Sequence, residues 1–252
     1  MGDWEVVTVG CSDAVVRRSA DGSRFDKTAT TAAARAELVD ERDRLLWLES
    51  IGVGAPRVLD WRAGEGGATL VSSTLAGIPA SDVPGDRAAA VVEALVEFSR
   101  TLHALPIGEC PFDRTLAVTV PAAAANVAAG LVDEDDFDGE RAGFTAAELL
   151  GELEVDRARA EVLEAADLVV CHGDFCLPNV LLDPQTLTVT GILDVGRLGI
   201  ADRHLDLALL TRSVADPDLN PAYGAELAEW VADRTGADPW RLDYYRLLDE
   251  FF

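Results

Sequence analysis

The stretch Cys171-His172-Gly173-Asp174-Phe175-Cys176-Leu177-Pro178-Asn179, with Asp194-Val195-Gly196 beginning fifteen residues after Asn179, decides how the rest of the chain is read. The apolar run Leu168-Val169-Val170 before it is short enough to be a buried strand. After it, Val180-Leu181-Leu182 and the run from Leu187 to Leu193 flank the turn residues Asp183-Pro184-Gln185-Thr186, the pattern of a hairpin. Asn179 enters that hairpin and Asp194 leaves it, so both come to one end, and Asp174 lies on the loop just before. Two carboxylates and an amide oxygen gathered at strand ends suit a hard divalent cation beside an acid/base group. A polar turn between core strands would account for a lone Asp-x-Gly, but not for the combined spacing.

Asp-x-x-x-x-Asn followed by Asp-x-Gly is the arrangement of kinases, in which one Asp faces the acceptor hydroxyl and the Asn and second Asp hold Mg²⁺. His172-Gly173-Asp174 stands where protein kinases carry His-Arg-Asp, and Asp194-Val195-Gly196 where they carry Asp-Phe-Gly. The N-terminal part agrees. Trp4 to Val9 and Asp13 to Ser19 read as strands around the small loop Gly10-Cys11-Ser12-Asp13-Ala14, and a third strand runs from Arg24 to Thr28. Of 21 basic residues only Lys27, on that third strand, is a lysine. A chain that otherwise uses Arg keeps Lys where a compact ammonium is wanted, as on nucleotide phosphates. Ala32 to Ser50 is a helix by composition, ended by Gly52. Its Leu38, Glu41, Leu45 and Leu48 share one face, so Glu41 needs a partner, which Lys27 supplies; Glu37 competes one turn earlier. Two further strands, Val58 to Trp61 and Ala68 to Ser72, complete a small sheet. The expected fold is α+β and protein-kinase-like. Residues 1–75 form a small antiparallel lobe, a hinge lies near 73–77, and 76–252 form a larger, mainly helical lobe.

Length and composition narrow the function. At 252 residues, 49% apolar and 26% charged, the chain reads as globular with ample core. No stretch reaches the roughly 20 apolar residues of a membrane span. The start Met1-Gly2-Asp3-Trp4-Glu5 lacks the basic and apolar regions of a signal peptide, so a cytoplasmic protein is expected. Cysteines 11, 110, 171 and 176 fit neither a disulfide framework nor a Cys-x-x-Cys metal site. A net charge of −24 argues against nucleic acid and favours a cationic small molecule; no obligate protein partner is evident.

Downstream of the hinge, Asp86 to Leu105 is an amphipathic helix with Ala88, Val92, Leu95, Ser99 and Leu102 in one stripe, and His103 reads as structural or surface. Pro121 to Ala166 reads as mostly helical, interrupted by the acidic run Asp133 to Glu140, a loop able to offer carboxylates to a cation. A helix is expected to open at Ala201 with Asp202 as N-cap, and Asp206 among its leucines must be hydrogen-bonded inward, with the catalytic-loop backbone as the expected partner. Helices over about 221–234 and 240–252 follow, and a chain ending in Phe251-Phe252 is expected to be docked.

These motifs resemble the aminoglycoside 3′-phosphotransferases. The resemblance runs through Ser12-Asp13-Ala14, Leu46-Trp47-Leu48-Glu49, Leu102-His103-Ala104-Leu105-Pro106, Cys110-Pro111-Phe112, Gly130-Leu131-Val132-Asp133, the segments around Asp174 and Asp194, Gly199-Ile200-Ala201-Asp202-Arg203 and Leu248-Asp249-Glu250-Phe251-Phe252. It implies ATP as phosphoryl donor, with Phe25 stacked on adenine, backbone near Ser73 and Leu75 on its edge, and Ser12 over the phosphates. It implies Lys27 on the α/β-phosphates steadied by Glu41, and Mg²⁺ on Asn179 and Asp194. Asp174 would take the proton of the antibiotic's 3′-hydroxyl. Asp138, Glu140, Arg197, Arg212, Asp216, Asp249, Glu250 and the Phe252 carboxylate would shape the acceptor pocket. The chain departs at Thr74 and Pro217, where relatives often carry an acid. Two other readings share the core motif: a choline- or homoserine-type small-molecule kinase, which would not need the acidic C-terminus, and a nucleotide-binding pseudokinase or regulatory module. Pseudokinases usually lack one of Lys27, Asp174, Asn179 and Asp194, all present here.

Overall fold

A computed structural model describes residues 4–7 and 14–252. In chain order the elements begin with strands β1 (Trp4–Val7), β2 (Val15–Ser19) and β3 (Arg24–Ala29), helix α1 (Ala32–Ile51), and strands β4 (Val58–Gly64), β5 (Gly67–Ser73) and β6 (Ile78–Pro79). Helices α2 (Ala88–His103), α3 (Leu116–Ala129) and α4 (Ala146–Glu164) follow, then strands β7 (Leu168–Cys171), β8 (Val180–Leu182), β9 (Val189–Ile192) and β10 (Gly199–Asp202). Helices α5 (His204–Ala215), α6 (Ala225–Thr235) and α7 (Pro239–Asp249) complete the chain. Two compact units result: Met1–Asp82 with Pro178–Arg197, and Val83–Leu177 with Leu198–Phe252.

The first unit carries a five-stranded antiparallel sheet in the order β1-β2-β3-β5-β4. Side chains alternate across β3, so Phe25 and Lys27 share one face while buried Asp26 lies on the other, where it accepts from Arg17 Nη2 at 2.8 Å. Helix α1 starts at Thr31, whose side chain accepts the Ala34 N–H, and stops at Gly52 with φ 76°, the left-handed turn a glycine makes without strain. Leu38, Leu45 and Leu48 are its buried face, as their spacing requires. The β8–β9 hairpin belongs to this unit and pairs with β6. Backbones meet closely here: the Ile192 N–H donates to Gly54 O at 3.0 Å, and a Cβ on Gly54 would lie 2.3 Å from Thr190 O.

In the second unit the whole expected stripe of α2, from Ala88 to Leu102, is buried. Two expectations change. Helix α3 begins at Leu116, not Pro121, which sits inside it. The Glu164 carboxylate, far along the chain, accepts the Leu116 N–H at 2.9 Å and so supplies the cap that local sequence does not show. Residues 199–202 form strand β10, antiparallel to β7, rather than the opening of a helix. Arg203, not Asp202, holds the N-cap position of α5, because the strand claims the Asp202 backbone; the Asp202 carboxylate still accepts the His204 N–H at 2.9 Å. The chain end is docked through Phe251, which is buried and whose carbonyl accepts from Asn126 Nδ2 at 2.8 Å; Phe252 stays 39% exposed. Among the described residues no helix is long and apolar enough to cross a membrane.

Gly54→Ala should cost about 1–3 kcal/mol, because the added methyl meets backbone that cannot yield. Urea unfolding of the variant measures it, and an unchanged midpoint would show that the hairpin is not held by this contact.

Candidate active site

Lys27 Nζ in the first unit donates to Glu41 Oε1 and to Asp194 Oδ1, each at 2.8 Å. Glu37 is exposed, so the competition for Lys27 goes to Glu41. Burial alone would lower the Lys27 pKa, but the charges of Glu41 and Asp194 outweigh it and hold the ammonium above its ordinary value. Burial pushes the Glu41 carboxyl upward, against the pull of Lys27. Asp194 has φ 49°, a left-handed conformation that a short polar residue tolerates, and its side chain is 58% exposed. The Leu193 N–H donates to Asn179 O at 2.8 Å and closes the open end of the hairpin, so Asn179 and Asp194 flank the same point. A carboxylate and an amide oxygen there are the hard oxygen donors that Mg²⁺ takes.

Phe25 is half-buried, with the Arg18 guanidinium 5.9 Å from its ring centroid. The Ser73 N–H is already given to Arg57 O at 2.9 Å. Thr74 gives its N–H to Ser23 O at 2.9 Å and its hydroxyl to Gly22 O at 2.6 Å, tying the expected hinge to the β2–β3 turn. Leu75 lies against Gly191. Ser12 falls outside the described residues. Arg197 closes the 3-10 turn Val195–Arg197, directly after Asp194, and therefore belongs to this first unit.

The second unit holds the loop of Asp174, the candidate catalytic loop. The His172 and Gly173 N–H groups donate to Asp206 Oδ2 and Oδ1, both at 2.9 Å, and His103 Nε2 lies 2.9 Å from the same Oδ2. Asp206 has no exposed surface, so these contacts replace its water. The expected inward bond of Asp206 to the loop backbone is present, and His103 is structural. Gly173 takes φ 84°, and the next residue, half-buried Asp174, donates its N–H to His172 Nδ1 at 3.1 Å. Cys171 is buried, and burial pushes its thiol well up, so it fills space beside the loop.

The acceptor candidates of this unit are mostly paired already. Arg212 reaches Asp138 Oδ2 at 3.4 Å and Asp249 Oδ2 more closely still. Glu250 is turned inward, with only 4% of its side chain exposed, and accepts the Asp138 N–H through both oxygens at 3.2 and 3.3 Å. Glu140 is exposed. Asp216 accepts the Asp218 and Leu219 N–H groups, each at 2.9 Å, and so shapes the turn after α5. Phe252 stacks under Arg114 at 5.5 Å. Arg141 was not among the expected site residues. It is buried and bonded to Asp243 Oδ1 at 2.8 Å, and its only sequence signal is an arginine at the end of an acidic run.

The model of the phosphotransferase enzyme family matches residues 3–240. The aminoglycoside 3′-phosphotransferase of Streptomyces fradiae is 45% identical over 99% of this chain and 95% of its own length. This chain belongs to the aminoglycoside phosphotransferase family. The streptomycin 3″-kinase of Streptomyces griseus is 46% identical over 98% of this chain and 92% of its own. The aminoglycoside phosphotransferase APH(3″)-Id of Streptomyces rimosus, solved with ADP and streptomycin, superimposes with a TM-score of 0.86 at 41% identity, covering 98% of this chain and 92% of that one. The family's fold is the α+β, protein-kinase-like one expected from the spacing around Asp174.

Burial, reinforced by the charge of Asp138, raises the Glu250 pKa from 4.5 to about 7. The folded protein therefore binds this proton more tightly than the unfolded chain does. Glu250 contributes stability that is complete below about pH 4.5 and is lost as pH rises through about 7. Thermal melts should show Glu250→Gln flattening the fall in stability between pH 5 and 8. A slope identical to that of the parent would exclude a raised pKa.

Proposed function

We propose that the protein transfers the γ-phosphoryl group of ATP to the 3′-hydroxyl of aminoglycoside antibiotics in the cytoplasm and so confers resistance. The observation that carries this reading is Lys27 held between Glu41 and Asp194 at 2.8 Å, in a chain of this family that also keeps Asn179 and the Asp206-clamped loop of Asp174. A pseudokinase or regulatory module would have no need of the complete set.

In this reading residues 1–75, with the hinge near 73–77, bind the nucleotide, and 76–252 carry the catalytic loop and the acceptor site. Phe25 stacks on adenine, Ser73 and Leu75 meet its edge through backbone groups, and Ser12 covers the phosphates. Lys27 neutralises the α/β-phosphates while Glu41 keeps it aimed. Asn179 and Asp194 would hold Mg²⁺, which when bound offsets charge on the β- and γ-phosphates. Asp174 orients the acceptor hydroxyl. As its oxygen bonds to the γ-phosphorus, the bond to the β-phosphate oxygen breaks, ADP leaves, and the proton passes to the Asp174 carboxylate. Asp138, Glu140, Arg212, Asp216, Asp249, Glu250 and Phe252 shape the acceptor pocket, where an overall acidic field draws in a polycation, and Arg197 of the first unit is a further acceptor-binding candidate. A choline- or homoserine-type kinase would make no use of that C-terminal acidity.

The streptomycin 3″-kinase at 46% identity supports a second reading, phosphorylation of the 3″-hydroxyl of streptomycin. Phosphotransfer from ATP to aminoglycosides with and without a 3′-hydroxyl, and to streptomycin, separates the two. Turnover only of the 3′-hydroxyl compounds supports the first, and turnover of streptomycin alone replaces it with the second.

Asp174→Asn should lower kcat by about 10²–10⁴-fold while ATP still binds, since a general base acts on the acceptor and not on the nucleotide. A variant that keeps most of its turnover would remove Asp174 from the chemistry. Lys27→Arg should raise the KM for ATP and lower kcat despite the conserved charge, because the wider guanidinium does not fit the compact site between the phosphate oxygens and Glu41. Kinetics matching the parent would take Lys27 off the phosphates.

A further inference from the structure

The acidic run 133–140 bears candidate acceptor groups, yet it lies between α3 and α4 without a strand or helix of its own. Something must hold it against its own charge. Phe137 is one anchor, being 8% exposed. Another is Arg141, whose guanidinium lies among three carboxylates, one on the loop itself and two from the C-terminal segment. Nη2 donates to Asp243 Oδ1 on α7 at 2.8 Å, and Nη1 lies 3.6 Å from Glu250 Oε1 and 4.0 Å from Asp138 Oδ2. Glu250 in turn receives the Asp138 N–H, so one cation ties the loop's side chain and backbone to the last turn of α7.

We infer that Arg141 is a positioning residue, the clamp that holds the 133–144 loop on α7 and thereby sets Asp138 and Glu140 for the cationic acceptor. This rests on the reading of the second unit as an aminoglycoside site. A buried guanidinium is retained only if its donors are met, and the planar fork of Arg presents separate N–H groups to Asp243 and to Glu250, a spread that the compact ammonium of a lysine does not reproduce. Without it, Glu250 has lost its nearest cation and the loop has lost its tie to Asp243 on α7. Arg212 still reaches Asp138 and Asp249, so the acids remain but their placement loosens.

The test uses the full chain with Arg141→Met, Arg141→Lys and the milder Asp243→Asn, whose side chain is 57% exposed in the parent. Hydrogen exchange without ligand should show the 133–144 amides, the Asp138 N–H first among them, exchanging about tenfold faster in Arg141→Met. Asp243→Asn should move the same way by less. Steady-state kinetics below the melting range should show the aminoglycoside KM raised about tenfold in Arg141→Met, with the ATP KM within about twofold, and Arg141→Lys intermediate. Unchanged loop exchange in Arg141→Met and Asp243→Asn would overturn the clamp. Faster exchange with an unchanged aminoglycoside KM, or with both KM values rising together, would overturn the positioning role and leave a fold contact. If the parent phosphorylates no aminoglycoside, the functional reading falls and with it the acceptor role, while the exchange result alone decides whether Arg141 holds the loop.

Discussion

A carboxylate with no exposed surface, Asp206, sets the geometry on which the rest of the candidate catalytic loop depends. A buried charge is tolerated only when its lone pairs are filled, and here the N–H groups of His172 and Gly173 donate to it and His103 Nε2 lies 2.9 Å away. The arrangement works in both directions. The loop supplies the hydrogen bonds that let Asp206 stay inside α5, and Asp206 satisfies two backbone groups that a tight loop leaves without a ladder partner. With that backbone held, Gly173 can take its left-handed turn and Asp174 follows in a fixed orientation. Phe175, buried and stacked on Phe98 at 6.3 Å, pins the far side.

The same rule governs the cations. Twenty-one basic residues stand against forty-five acidic ones, and several of the inward-facing cations are enclosed by more than one carboxylate. Arg241 joins Asp167 and Asp202, Arg141 joins Asp243 and Glu250, and Arg212 joins Asp138 and Asp249. The forked guanidinium makes such double pairings geometrically cheap, whereas the single Lys27 offers its point charge to Glu41 and Asp194. For the proposed acceptor site the consequence is that acidity counted along the chain overstates the free charge. An ammonium group arriving near Asp138 and Asp249 joins a network that already contains a guanidinium, and Glu250 acts on the loop backbone before it acts on any ligand.

Much of this was legible in the residue order, for a physical reason. Asn179 and Asp194 stand at the two ends of one hairpin, so short-range spacing nearly dictates their relative placement. The lone lysine on a strand and the glutamate in the leucine stripe of α1 reveal each other because a buried carboxylate requires a cation, and the chain has one lysine to offer. Helix α1 ends at Gly52 and α2 buries its expected stripe because both signals are local. The misread pieces share the opposite property. Helix α3 starts where Glu164, on another helix, caps it, and β10 is a strand because β7 lies beside it.

The sequence by itself determined which chemical groups this enzyme has and the order in which local geometry presents them. The tertiary structure alone decided which charges are spoken for: that Glu250 faces the Asp138 amide, that Arg212 lies between two acids, and that Arg141 closes the loop. With more than twice as many acids as bases, almost any cation has several possible partners along the chain. Coulomb attraction and the demand for hydrogen bonds in a buried place choose among them only once the fold has fixed the distances.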